Sequence, residues 1–396
     1  MALQRRTVFI LSLACAVNVA NMYYCQPLLS AMGRALGVTD RAIGYLPVWT
    51  QAGTALGMFA FVPLGDMFSR RLLIVGMNLA AAVAVVLMAL APNLAFVNAF
   101  GFGVGLVSVA SHFILPLAAQ LAEPSDRGHV VGSVMGGVLL GILLGRVVAG
   151  YVGDTFGWRA IYWMSALASV AVAAMIRSAL PADRPLRRIR YPELLRSILH
   201  LAQTQPVLRE AALIGAMLFG TFSSFWATLA FYLRDPPWHY GPRVAGLFGL
   251  VGAVGALAAP RAGRLADRRG AAFTTAAAIC VAIAAYGIFF AAGRTIAGLV
   301  AGVILMDLGV QAGHVANQTR IYALVPEARS RLNTVYMVTY FLGGALGSAL
   351  GGYGWTHWRW PGVCAAGLLQ LFIALGVRVR GHYRHAPSAP PVAIST

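Results

Sequence analysis

Apolar residues run in long stretches along most of this chain, broken by short polar punctuation. About 20 apolar residues suffice for an α-helix to cross the hydrocarbon core of a bilayer. On that rule spans are predicted near 7–31, 42–65, 72–91, 94–121, 128–152, 159–180, 208–233, 243–264, 272–292, 295–320, 331–354 and 360–379. The expected fold class is an all-α membrane protein of twelve transmembrane helices. Loops are short except for 181–207, which holds Pro181, Pro185, Pro192 and Pro206 with five arginines. The predicted organisation is a six-helix bundle over 1–180, a cytoplasmic linker over 181–207, a second six-helix bundle over 208–380 and a disordered tail over 381–396. An amphipathic piece near 192–203 is expected to lie along the membrane surface. Arg5 and Arg6 before the first apolar run resemble the start of a signal peptide. The run is too long for one and lacks a small-x-small cleavage site, so it reads as the first span.

Residues 124–158 recur at 326–360 with an offset of 202, and ten of the 35 positions are identical. Besides Leu and Gly matches, the identities include Pro124/Pro326, Arg127/Arg329, Tyr151/Tyr353 and Trp158/Trp360, which apolar bias does not readily produce. A second echo at offset 201 pairs Leu64-Gly65-Asp66 with Leu265-Ala266-Asp267. Two like halves in one membrane chain point to a transporter, because alternating access rocks one half against the other.

Composition agrees: the chain is 59% hydrophobic and 11% charged, with mean hydropathy +0.74, too apolar for a soluble domain of this size. The formal net charge of +18 would suggest nucleic acid were the basic residues clustered in a soluble domain. All 30 are Arg, and with the N-terminus inside, 22 fall at inner ends and loops, 7 at outer ones, and Arg146 within a span. That bias places both termini in the cytoplasm and explains the charge as topology signals near anionic headgroups. Cys15, Cys25, Cys280 and Cys364 show no metal spacing or disulfide framework and read as small buried apolar residues.

The loop after the second span reads Val62-Pro63-Leu64-Gly65-Asp66-Met67-Phe68-Ser69-Arg70-Arg71, and its counterpart reads Gly263-Arg264-Leu265-Ala266-Asp267-Arg268-Arg269-Gly270. An acid at a helix end can cap a neighbouring helix or pair with Arg. Asp66, Arg70, Arg71, Asp267, Arg268 and Gly270 are therefore candidates for a conformational latch. These loops resemble the major facilitator superfamily signature G-x-x-x-D-R-x-G-R-R. The second copy fits its first eight positions; the first has Val62, Met67 and Ser69 where Gly, Arg and Gly stand. Span 5 carries Gly141-x-x-x-Gly145-Arg146-x-x-Ala149-Gly150, similar to the superfamily's antiporter motif, with Arg146 in place of Pro. Small residues four apart let helices touch closely, so Gly141, Gly145, Gly150 and the repeat-related Gly343 and Gly347 are predicted packing positions. The family's basic residue of span 4 is missing, and Arg146 is the candidate to supply that charge.

Asp307 is the single acid well inside a span, about 12 residues or roughly 18 Å from its outer end. Such an acid costs about 2.5–3.5 kcal/mol on insertion scales and marks a functional position by default. With Gln311, His314 and Gln318 it forms one helical stripe at i, i+4, i+7 and i+11, which must face protein or water. Asp307, tuned by Arg146 or His314, is the expected proton-coupling group; a structural Asp–Arg pair is the alternative. Further cavity candidates are Asn18, Asn21, Tyr24, Gln26, Gln51, His112, Ser224, Trp226, Gln311, Gln318, Tyr336 and Tyr340. The resemblance implies that spans 1, 4, 7 and 10 line a central cavity, and an aromatic-rich cavity with few charges suits neutral or cationic amphiphiles.

The stretches Asp307-Leu308-Gly309-Val310-Gln311, Arg331-Leu332-Asn333-Thr334 and Asn21-Met22-Tyr23-Tyr24-Cys25-Gln26-Pro27-Leu28 look like the branch of drug:proton antiporters and sugar or nucleoside exporters. The resemblance implies proton-coupled efflux of a small organic solute, with a proton-coupled importer as the alternative. No nucleotide-binding loop, catalytic cluster or metal spacing is present in the sequence. The expectations are therefore no enzyme activity, no metal and no cofactor beyond a proton gradient. The expected partners are a small-molecule substrate and the lipid bilayer, without nucleic acid. A monomer in a bacterial inner membrane is expected.

Overall fold

The computed structural model describes residues 5–123, 125–180, 190–256, 264–265 and 268–385. Among them every regular element is a helix. In chain order these are α1 (Arg5–Tyr23), α2 (Cys25–Ala35), α3 (Asp40–Ile43), α4 (Leu46–Phe61), α5 (Arg70–Leu90), α6 (Leu94–Val107), α7 (Ser111–Leu121) and α8 (Arg127–Phe156). They continue with α9 (Trp158–Ala179), α10 (Tyr191–Thr204), α11 (Pro206–Arg234), α12 (Pro242–Ala256), α13 (Ala271–Ala292), α14 (Ile296–Tyr322) and α15 (Arg329–His385). Nine helices among the described residues are long and apolar enough to cross a membrane, counting α6 and α7 as one and α15 as one.

Local chemistry sets the ends. Asn93 accepts hydrogen bonds from the backbone N–H of Ala95 and Phe96 at the start of α6, and Thr295 accepts from Gly298 at the start of α14. Each satisfies donors that a first helical turn leaves open. Arg159 donates to the carbonyls of Ala89 and Ala91 at 3.1 and 3.0 Å, closing the far end of α5.

Several boundaries differ from the sequence expectation for local reasons. The first span breaks at Tyr24, between α1 and α2. Pro27 has no N–H to give the carbonyl of Tyr23 one turn back, and its ring crowds that turn. The fourth span breaks at residues 108–110, before Ser111 opens α7. The predicted loop after residue 354 shrinks to one residue out of helical geometry, Arg359 at φ 54 and ψ −142. The last helix runs to His385, past residue 380 where the bundle was expected to end. Residues 181–189 of the linker and 386–396 of the tail lie outside the described residues.

Helix α11 is buried along nearly its whole length and packs against α15. Around it, α1 lies on α8, α4 on α6, α5 on α9, and α13 on α14. Helices before and after the linker meet along a seam where α8 touches α12, α4 touches α15, and α2 touches α11 and α12. The repeat resolves into two faces. Leu140, Leu144, Leu342 and Leu346 are all exposed, as lipid contact requires, while the glycines beside them turn inward. A Cβ on Gly141 or Gly145 would strike Ala16 or Ala20 of α1, and one on Gly343 or Gly347 would strike Ala216 or Gly220 of α11. Three cysteines are buried; Cys280 is exposed, contrary to the expectation for all four.

Candidate functional site

Among the described residues the seam holds one buried cation and one buried acid, from opposite sides of the linker. Arg146 of α8 is 2% exposed. Its Nε donates to Gln26 Oε1 at 2.8 Å and its Nη1 to the carbonyl of Ile142 at 3.1 Å, leaving Nη2 without a partner. Its guanidinium lies 4.1 Å from the ring centre of Trp226, 4.5 Å from Tyr23 and 5.4 Å from Phe222. Desolvated contacts of that kind are worth about 2 kcal/mol or more, so the rings offset part of the cost of burying the charge.

Asp307 of α14 is 5% exposed, and its Oδ2 has no partner. It makes no ion pair within 4.0 Å among the described residues, yet it lies close enough to Arg146 for their charges to interact. Glycines of α12 admit both groups to the seam. A Cβ on Gly252 would lie 3.0 Å from Asp307 Oδ2 and 3.5 Å from Trp226, and one on Gly249 would lie 3.2 Å from Arg146 Cβ.

The polar stripe of α14 continues towards α15. His314 Nδ1 is 3.1 Å from Tyr336 Oη, and its ring packs 4.9 Å from Tyr340. Gln318 Nε2 donates to Asn333 Oδ1 at 3.4 Å, and Gln311 is half-buried. Tyr340 stacks on Phe219 at 4.1 Å, and Phe219 on Phe222 at 5.6 Å, so an aromatic wall leads from His314 to Arg146. His112, half-buried on α7, is near enough to His314 for their charges to interact.

Other predicted cavity residues are held by helices on their own side of the linker. Asn18 Nδ2 donates to Asn78 Oδ1 of α5 at 2.9 Å, and Asn21 accepts a hydrogen bond from Ser165 of α9. Ser224 donates to the carbonyl of Gly347 at 2.7 Å and accepts from Gln370, a polar clasp between α11 and α15. These three turn to neighbouring helices because a polar group on a spanning helix finds hydrogen-bond partners there as readily as in a cavity. Tyr24 is buried beside the α1–α2 break, and Gln51 is buried with Oε1 unpartnered. Of the latch candidates, Arg70 donates to Gln120 at 3.0 Å and to the carbonyl of Gly65, and Arg71 donates to the carbonyl of Arg177. The short turn Val62–Asp66 packs against α15 across the seam. Arg268 is exposed, and Gly270 takes φ 86 before α13. Asp267 lies outside the described residues, as does the side chain of Asp66.

Sequence reasoning missed Tyr23 and Phe222, although Phe222 and Trp226 share a face of α11 at i, i+4. It also missed a clasp across the seam. Arg234, the last residue of α11, bridges both carboxylate oxygens of Asp40 at 2.7 Å each and Asp235 at 2.7 Å. Trp355 Nε1 donates to Asp40 Oδ2 at 3.3 Å, and Arg359 reaches Asp235 at 3.5 Å. Partial burial opposes charge on Asp40, but the hydrogen bonds and charge of Arg234 outweigh it and hold the carboxyl below its ordinary range. The available signal was an acid just after Thr39, an N-cap residue, and a basic helix end, but nothing in the sequence pairs them.

The family model described as Major Facilitator Superfamily matches residues 11–347. The chain is 39% identical over 377 residues to the putative uncharacterized transporter YgaY of Escherichia coli K12, covering 95% of this chain and 96% of that one. It is 34% identical over 358 residues to a probable transporter of Streptomyces coelicolor, covering 90% and 83%. A bacterial homologue of the human lysosomal transporter Spinster, in an inward-facing and occupied conformation, superposes with TM-score 0.76 at 15% identity over 96% of this chain and 98% of that one. These likenesses and the apolar helices identify an integral membrane protein, and the chain belongs to the major facilitator superfamily of transporters.

Proposed function

We propose that this protein is a proton-coupled secondary transporter that exports a small organic solute by alternating access. In this reading twelve spans form two six-helix bundles joined by the cytoplasmic linker, and both termini face the cytoplasm. The observation that carries it is the juxtaposition of Arg146 and Asp307, buried on opposite sides of the seam without a closed ion pair. Each charge alone would be costly inside a membrane, so each makes the other tolerable. A proton on Asp307 leaves Arg146 uncompensated among its rings, which changes the relative energy of seam-closed and seam-open arrangements. Coupling needs that kind of differential interaction. Solute and proton then alternate at one seam, and the gradient drives the solute outward. His314 acts beside the pair, with His112, Gln311 and Gln318 lining the approach to it. In this reading the protein works as a monomer in a bacterial inner membrane, driven by the proton gradient without other cofactor.

The test is solute flux in proteoliposomes under an imposed pH gradient, with wild type and Asp307→Asn side by side. Solute moving against the proton flow, and a loss of that coupling of about a hundredfold or more in the variant, is the expected result. Solute moving with the protons would make the protein an importer. Equal, gradient-independent flux in both proteins would reduce Asp307 to a packing residue.

A further inference from the structure

Arg146 Nη2 and Asp307 Oδ2 are hydrogen-bonding atoms of opposite charge, both withdrawn from water and both unused. They face one seam, with the backbone of Gly252 and the ring of Trp226 beside them. Buried polar groups in folded proteins are almost always satisfied, and exceptions call for an explanation, among them a functional role. Around the two charges stand the faces of Tyr23, Phe222 and Trp226. The Tyr340 hydroxyl lies near Asp307 and Tyr23.

We propose that the seam recognises a zwitterionic aromatic solute: its anionic group binds Arg146 Nη2, its cationic group binds Asp307 Oδ2, and its ring packs on Tyr23, Phe222 and Trp226. Charge balance selects this class. A purely anionic solute meets Asp307 as well as Arg146, and a purely cationic one meets Arg146 as well as Asp307. Either leaves a net charge in a water-poor site, which is costly. A zwitterion answers both orphaned atoms and leaves the net charge unchanged. Charge-assisted hydrogen bonds are about twice as strong as neutral ones, and the rings offer both apolar area and an electron-rich face to the cationic group. The assignment deepens the proton-coupled reading and rests on it in one respect. A proton on Asp307 removes the negative charge that holds the cationic group, so proton and solute compete. Recognition itself needs only the two charges.

Equilibrium binding to the purified full-length protein in detergent, near neutral pH and without a gradient, tests it. The probes are phenylalanine and tryptophan, the corresponding amines phenethylamine and tryptamine, which are cations, and the N-acetyl derivatives of the two amino acids, which are anions. Wild type is expected to bind each amino acid at least about tenfold more tightly than either derivative. Arg146→Gln is expected to erase the preference over the amine, and Asp307→Asn the preference over the N-acetyl form. Arg146→Lys, which keeps the charge, should restore part of the first preference. Equal binding of all three forms by wild type, or no binding of any form to wild type that melts in a single transition, overturns the proposal. Because the wild-type series carries the comparison, misfolding of a variant does not spare it. Charge discrimination that persists beside gradient-independent flux would sink proton coupling alone, and proton-coupled flux of some other solute without this discrimination would sink the zwitterion alone.

Discussion

The glycines of the repeat show how far a single atom decides this structure. Gly347 faces the backbone of Gly220, while Gly352, five residues on, has open space around it. Gly347→Ala is expected to push α15 off α11 and to destabilise by about 1–3 kcal/mol, the usual cost of overpacking. Gly352→Ala fills empty space in a helix and should stabilise by up to about 1 kcal/mol through helix propensity. Opposite shifts of the melting temperature in detergent check the pair. Arg359 offers a second case. It stands 202 residues after Gly157, at the same repeat position, and takes φ 54 where the glycine takes φ 83. An L-residue there is strained by about 1–3 kcal/mol, so Arg359→Gly should raise the melting temperature despite losing the exposed contact to Asp235. The Arg146 and Asp307 positions were legible as single residues, because a charge inside an apolar span is costly enough to need a partner or a function. Asn18, Asn21 and Ser224 were not legible in the same way. An uncharged polar group can be satisfied by a neighbouring helix or its own turn, and only packing tells which.

At the scale of elements, the clasp of α3, α11 and α15 is the feature with a consequence for motion. Arg234, Asp40, Trp355 and Asp235 tie helices from both sides of the linker at one end of the seam. Asp40→Asn leaves the geometry but removes a charge-assisted bond, so a cysteine at exposed Tyr45 should react faster with a membrane-impermeant thiol reagent in the variant. Unchanged labelling would make the clasp decorative. The pH response has a definite sign. A carboxyl held below its ordinary value of 3.8 contributes stability that is fully present above that value and is lost as pH falls through the lower folded-state value. The stability difference between wild type and Asp40→Asn should therefore be level from about pH 8 to about pH 5 and close only in stronger acid. Thermal melting at stepped pH would show it. Element existence was legible from apolar run length. The breaks at Tyr24 and at residues 108–110 were not, since a run of the right length says nothing about an interruption within it.

On the scale of the whole molecule, transport requires the seam to open and close, and the clasp spans it. Cysteines replacing Asp40 and Arg234, joined by a bifunctional thiol reagent, should stop flux, and a reducible spacer should let reductant restore it. Full flux through the cross-linked protein would mean that this end of the seam does not move. Read alone, the chain carries its membrane-spanning class, the internal duplication, the family resemblance and the two charges that cannot sit in lipid. Each follows from a property that one segment carries alone: enough apolar length for a bilayer, a motif at a fixed offset, a charge whose solvation cost does not depend on its neighbours. Packing in three dimensions is what brings Arg146 and Asp307 to one seam, encloses the cation between Tyr23, Phe222 and Trp226, and sets Asp40 against Arg234 across 194 residues. Those are relations between segments, and the energy of a contact depends on a distance that no stretch of sequence contains.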